Sequence, residues 1–231
     1  MVVFVAGATG ATGQVLVPLA HEAGLELRLH VRPATAAKLA AEGSPLATDA
    51  RARVLDLGDR DALIAALRGC DAVVSLIGTM KRRFAQGDTY ETSDVGTTRA
   101  LVDAAKAVGV PRFLLLSSLG AGGGGAYLQM KGECERIVRE SGLSWAVFRP
   151  SALASPAKGA AGTHGKRWVP PGATALTAGL RTLPGVGDLV ARYGPIPIEV
   201  VARAMVRTIT TLAPGGEGRI VEGAALWEVG A

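Results

Sequence analysis

The chain has 231 residues, enough for one large domain with a sizeable core, and 48% of them are apolar, as in globular proteins. Its net charge of +5 is dispersed apart from Lys81-Arg82-Arg83 and Lys166-Arg167, and aromatic residues make up only 4%, which argues against a base-stacking nucleic-acid surface. No apolar run reaches the ~20 residues of a membrane span, and Cys70 and Cys134 lack metal-ligand spacing, so both read as buried or idle thiols.

Residues 2–5, Val-Val-Phe-Val, form a short apolar strand. Gly7, Gly10 and Gly13 follow in the spacing G-x-x-G-x-x-G, and residues 14–24 read as a helix that Gly24 stops. Strand, glycine turn and helix in that order make a phosphate cradle. Glycine admits positive φ and close backbone approach, and the amides at a helix start attract anions. Residues 1–20 carry no charged side chain, but a basic leader segment is missing and glycines and threonines interrupt the apolar stretch. That pattern argues against a signal peptide and predicts a cytoplasmic protein.

Strands over 25–31, 53–57, 72–78, 113–118 and 145–148 then alternate with helices over 35–41, 60–68, 91–108 and 127–140. Asp59 caps the second of these helices, and residues 119–125 form a glycine-rich loop. The alternation predicts an α/β fold, a Rossmann-like doubly wound parallel sheet in a single domain over 1–231. From 149 to 197 the pattern dissolves into Gly, Pro and Ala, and 151–197 is expected to be a lid over the carboxyl ends of the strands, where ligands bind. A helix over 199–212 and a strand over 219–222 follow.

Four places carry candidate chemistry. The second strand ends His30-Val31-Arg32-Pro33, with no acid for a ribose 2′-hydroxyl. Arg32 there can pair with a 2′-phosphate, assisted by Arg28 or Lys38, the plain alternative being a solvated arginine. This favours NADP(H), with NAD(H) possible. Asp56 and Leu57 fit either an adenine contact or a turn ahead of the Asp59 cap. Ile77, Gly78 and Thr79 close the fourth strand beside the same crevice. Tyr127 and Lys131, four apart, share a helix face, a spacing that also occurs on helices with no catalytic role. An ammonium lowers a phenol's pKa from its usual ~10 and suits it to acid–base work. Ser117 and Ser118 end the central strand just before, where a hydroxyl can orient a substrate carbonyl.

In order, these motifs resemble the short-chain dehydrogenase/reductase superfamily, in its atypical branch of compact NAD(P)H-binding proteins. The stretches Leu115-Leu116-Ser117-Ser118-Leu119-Gly120-Ala121, Tyr127-Leu128-Gln129-Met130-Lys131-Gly132-Glu133-Cys134-Glu135 and Val147-Phe148-Arg149-Pro150-Ser151 are similar to the Tat-interacting-protein-30-like group. The similarity spans most of residues 2–210. It implies a Rossmann fold that binds NADP(H) through Gly7, Gly10 and Gly13, with Thr9, Ala11 and Thr12 in the same turn. It also implies a Ser–Tyr–Lys constellation of Ser117 or Ser118 with Tyr127 and Lys131, the lysine also meeting the cofactor. Pro150 and Ser151 fall where backbone approaches the nicotinamide amide. The chain departs from the family in its short, nearly all-glycine loop before Tyr127. It departs again at Ser93-Asp94, which stand where an asparagine is often found.

The expected function is an NADPH-dependent oxidoreductase that passes hydride to a carbonyl or conjugated double bond of a small molecule. The alternative is an NADP(H)-binding redox sensor without turnover. A nucleotide-sugar epimerase or dehydratase ranks last, because the C-terminal region is short for a sugar-nucleotide subdomain. No metal, nucleic acid or membrane partner is expected, and monomer and homodimer stay open. Trp168 either lines a substrate pocket or anchors its loop, and Lys81-Arg82-Arg83 reads as a solvated loop.

Overall fold

The computed structural model describes residues 1–78, 89, 91–154, 179–180 and 186–231. Thr79, the Lys81-Arg82-Arg83 run, Trp168 and most of the expected lid lie outside the described residues. The strands are β1 (Val2–Ala6), β2 (Glu26–Val31), β3 (Ala52–Val54), β4 (Ala72–Ser75), β5 (Arg112–Leu116), β6 (Ser144–Arg149), β7 (Leu153–Ala154), β8 (Ile196–Pro197) and β9 (Arg219–Glu222). The helices are α1 (Ala11–Glu22), α2 (Pro33–Ala41), α3 (Arg60–Leu67), α4 (Gly96–Ala107), α5 (Ala126–Arg139), α6 (Gly187–Tyr193), α7 (Ile198–Thr211) and α8 (Ala224–Gly230).

Seven strands form one sheet in the order β3-β2-β1-β4-β5-β6-β9, and every pairing is parallel. Alternation along the strands divides their side chains between two layers. Val3, Val5, Leu27, Leu29, Leu114 and Phe148 face α1, α7 and α8, meeting Leu16, Met205 and Trp227. Phe4, Val73, Phe113, Leu115 and Val147 face α3, α4 and α5, meeting Leu63, Leu101 and Ile137. Strand order reverses between β1 and β4, and the crevice at their carboxyl ends is where such sheets bind ligands. The expected doubly wound sheet is therefore the observed one.

Three local expectations change. β3 stops at Val54, because Asp56 Oδ1 accepts from the Gly58 amide and Asp56 O from the Asp59 amide, turning the chain toward α3. The long helix opens as a wide π turn over Glu91–Val95 before α4 proper begins. The stretch read as wholly irregular holds α6 and a two-stranded parallel sheet of β7 with β8. Helix α8 escaped the sequence reading altogether. It buries Leu226 and Trp227, and its Gly230 sits so close to the Val200 carbonyl that a Cβ would come within 2.3 Å. Cys70 and Cys134 are buried and free, and burial pushes both thiols up, which keeps them unreactive.

Helix α5 is anchored twice. Gly132 packs against the glycine loop so tightly that a Cβ there would lie 2.6 Å from Gly122 Cα. Three residues on, Glu135 (2% exposed) accepts a forked pair of bonds from Arg149 on β6, at 2.9 and 2.6 Å. It also accepts from Ser117 Oγ at 2.5 Å. Arg149 and Arg192 both reach Glu222 on β9, at 3.3 and 3.2 Å. Removing one partner of such a buried pair strands the other's charge, at a cost of about 3–5 kcal/mol. Glu135→Ala is thus expected to lower the unfolding free energy by that amount in urea titrations. Arg136→Ala, which breaks only exposed pairs with Glu133 and Glu140, is expected to leave it nearly unchanged.

Candidate functional site

A cleft of about 460 Å³ opens at the carboxyl ends of β1, β2 and β4. Its floor is the glycine turn. Gly7 has φ +90°, which a side chain resists. A Cβ on Gly13 would lie 2.4 Å from the Gly7 carbonyl oxygen, so helix α1 meets β1 only because that position is bare. Gly10 caps α1 with no side-chain bond, and no acid occupies the first helical turn. The first intrahelical bond runs from Gln14 N to Gly10 O, which leaves the amides before it without helical acceptors. Those amides and the helix dipole suit a diphosphate, so the residues present fit a dinucleotide. Gly7, Thr9 and Gly10 line the cleft; Ala11 and Gly13 belong to the first turn of α1, and Thr12 there is buried.

Arg32, beyond β2, lines the cleft, and no acid accompanies it at that strand end. Its expected helpers are corrected. Arg28 donates to the carbonyls of Ala66 and Arg68 at the C-terminus of α3, and the exposed Lys38 pairs with Glu42 at 3.7 Å. Asp56 and Leu57 line the same wall, and one Asp56 oxygen holds the turn ahead of α3. Ile77 and Gly78 border it from β4, and Ser93, Gly96 and Thr97 from the opposite side. Asp94 is buried, and its carbonyl accepts from Thr98 Oγ1 at 2.8 Å.

Lys131 connects this cleft to the other sequence motif. Its side chain is buried, 3% exposed, and Nζ donates to Ile77 O at 3.0 Å and Leu116 O at 3.4 Å. The ammonium therefore sits between the ends of β4 and β5. A Cβ on Gly78, which lines the cleft, would stand 3.6 Å from it. Tyr127 lies one turn earlier on α5 and is 39% exposed.

The two serines separate. Ser117 is buried with its hydroxyl given to Glu135, whereas Ser118 is half-buried and makes only a long 3.4 Å bond to the neighbouring Leu119 carbonyl. Pro150 and Ser151 follow β6. The Pro150 carbonyl accepts from Leu119 N at 2.9 Å, which joins this segment to the serine loop. The Ser151 hydroxyl donates to the Gly194 carbonyl. Sequence reasoning missed His30 as a cleft residue and missed the Glu135–Arg149 pair. For His30 the signal was present, since it lies two residues before Arg32 at the same strand end. Among the described residues no group of three potential metal ligands occurs, and no helix is long and apolar enough to cross a membrane.

The family model described as NAD(P)H-binding matches residues 7–174. Protein HTATIP2 from Rattus norvegicus is 30% identical over 99% of this chain and 88% of its own length. Protein TIC 62 from Arabidopsis thaliana chloroplasts is 29% identical over 70% of this chain, which spans only 29% of that relative. Among solved structures, a dTDP-glucose 4,6-dehydratase from Streptomyces venezuelae with NAD bound superposes with TM-score 0.65 at 21% identity, covering 96% of this chain and 76% of the other. ChuY, an anaerobillin reductase from Escherichia coli O157:H7, gives TM-score 0.61 at 18% identity and covers 95% of both chains. At such identities the likeness is one of fold. Glycine turn, parallel sheet and family match converge: the chain belongs to the NAD(P)H-binding family of atypical short-chain dehydrogenase/reductase-like Rossmann proteins.

Proposed function

We propose that the protein is an NADPH-dependent oxidoreductase acting on a carbonyl or conjugated double bond of a small molecule. The observation that carries this reading is the buried ammonium of Lys131, held at the edge of the dinucleotide cleft and one helical turn from Tyr127. A redox sensor has no need of a proton donor there.

The bound nicotinamide would supply the hydride. The Tyr127 phenol gives its proton to the oxygen on which negative charge develops. The Lys131 ammonium, held by the carbonyls of Ile77 and Leu116, would meet the nicotinamide ribose. Ser118 is the serine available to orient that oxygen, since the Ser117 hydroxyl is committed to Glu135. Arg32 would take the adenosine 2′-phosphate, with the glycine turn on the diphosphate. The medium is a cytoplasm-like aqueous compartment.

One observation favours a second reading, a cofactor-binding protein without turnover. Only Ser118 remains for substrate, and Tyr127 stands partly in solvent. The two readings part in one assay series: NADPH binding by fluorescence titration, then NADPH oxidation against aldehydes, quinones and enones. Tyr127→Phe is expected to lower kcat by at least ~10²-fold, the scale of general acid catalysis, with the Kd for NADPH unchanged. Equal turnover by Tyr127→Phe overturns the mechanism, and tight NADPH binding with no turnover across the panel favours the second reading.

Arg32→Ala is expected to weaken NADPH binding by about tenfold to a hundredfold, as for loss of a charged hydrogen bond worth about 1.5–3 kcal/mol, and to leave NADH binding unchanged. A preference of the wild-type protein for NADH would remove the role given to Arg32. Gly13→Val is expected to abolish binding of both nucleotides, measured the same way, because its side chain would displace the turn.

A further inference from the structure

Side chains of β2 alternate between the layers. Leu27 and Leu29 enter the core beneath α1 and α7, so Arg28 and His30 share the opposite face, and Arg32 follows just beyond the strand. Arg28 is spent on the end of α3. His30 and Arg32 both line the cleft.

His30 is an unusual wall for such a cleft. It is 4% exposed, and its Nε2 lies 3.1 Å from the Leu55 carbonyl oxygen. A carbonyl only accepts, so Nε2 carries hydrogen and, in the neutral ring, Nδ1 holds the lone pair. The Phe4 ring flanks it from β1 at 6.3 Å between centroids. Charged groups reach it from two places, Arg32 just beyond its own strand and Asp56 from beyond β3. The cleft residues opposite, Ser93, Gly96 and Thr97, carry none. Burial first, and then the Arg32 charge, hold the imidazole below its ordinary value, against the Leu55 bond and Asp56. The ring is therefore neutral at neutral pH before any anion arrives.

We propose that His30 is a cofactor-selecting residue: it takes a proton from solvent when an adenosine 2′-phosphate binds beside Arg32, so that the preference for NADPH over NADH rises as pH falls. The inference rests on the NADPH reading above. A 2′-phosphate brings nearly two negative charges at neutral pH, and a nearby anion favours the charged form of histidine. One N–H bond forms at Nδ1, the proton comes from bulk water, and nothing is oxidised. NADH presents an uncharged hydroxyl at the same point and draws no proton. The sign follows by linkage: the NADPH complex binds more protons than the free protein, so affinity is lost as pH rises through the bound-state value. The second ionisation of the phosphate, near pH 6, works in the opposite direction and is shared by any variant.

His30→Gln separates the two effects, since glutamine keeps an N–H for Leu55 but does not titrate. Between pH 6.5 and 8 the Kd of the wild-type protein for NADPH is expected to rise at least about fivefold more than that of His30→Gln, with NADH binding flat in both. Calorimetry in two buffers of different ionisation enthalpy should report proton uptake on NADPH binding, absent with NADH and absent in the variant. Should the variant not fold, imidazole ¹⁵N shifts in a His21→Gln/His164→Gln protein decide, because NADPH at pH 7 is expected to move His30 to the protonated pattern. Identical NADPH profiles for wild type and His30→Gln, or an unmoved imidazole, overturn the proposal while the NADPH reading stands. No NADPH binding at any pH overturns both.

Discussion

The contact between the end of β1 and the first turn of α1 governs the rest of this structure. Gly13 approaches the Gly7 carbonyl more closely than any side chain permits, and that approach aims the open amides of α1 at the crevice rather than past it. A larger residue there would tilt the helix and with it the layer that Leu16 and Ala20 build with α7. Packing and anion binding thus depend on the same missing Cβ. A turn of this kind does not select a chemistry; it provides a place where a diphosphate can lie.

The other half of the sheet positions Lys131. Lys131 immediately precedes two constraints on α5, the Gly122–Gly132 approach and the Glu135–Arg149 fork. Between them the helix has little freedom to rotate or slide. The ammonium consequently meets the carbonyls of Ile77 and Leu116 and not bulk water. A buried cation is costly unless it is hydrogen-bonded, so these carbonyls are what makes its position tenable. Ser117, just past the end of β5, serves this framework by donating its hydroxyl to Glu135.

How much of this was legible in the sequence depends on the range of the interaction responsible. The β1–turn–α1 unit is local, and residues 2–13 state it outright. The parallel sheet follows from strand and helix patterns whose periods differ, which is again local information. The end of β3 was misjudged because Leu55 and Leu57 continue the apolar alternation while the Asp56 carboxylate bends the backbone. Helix α8 is short, and its Leu226 and Trp227 take their meaning from contact with α7. The pairings of Glu135 with Ser117 and Arg149 join residues from three separate elements, and no spacing rule announces them. The candidate site divides in the same way: its glycines, Arg32 and Lys131 stood out by type and position, whereas the different engagements of Ser117 and Ser118 required coordinates.

The distribution of charge along the cleft carries the argument one step further. Arg32 stands at one end, the amino terminus of α1 in the middle and Lys131 at the other end. Asp56 is the acid among the residues lining the cleft, and one of its oxygens is turned to the Gly58 amide. Such a field is complementary to an elongated anion rather than to a compact one, because three positive regions are spread over three strand ends. A compact phosphate could satisfy only one of them. A dinucleotide carries its diphosphate at its centre, where the amino terminus of α1 stands. Extended charge complementarity of this sort acts on orientation as much as on affinity.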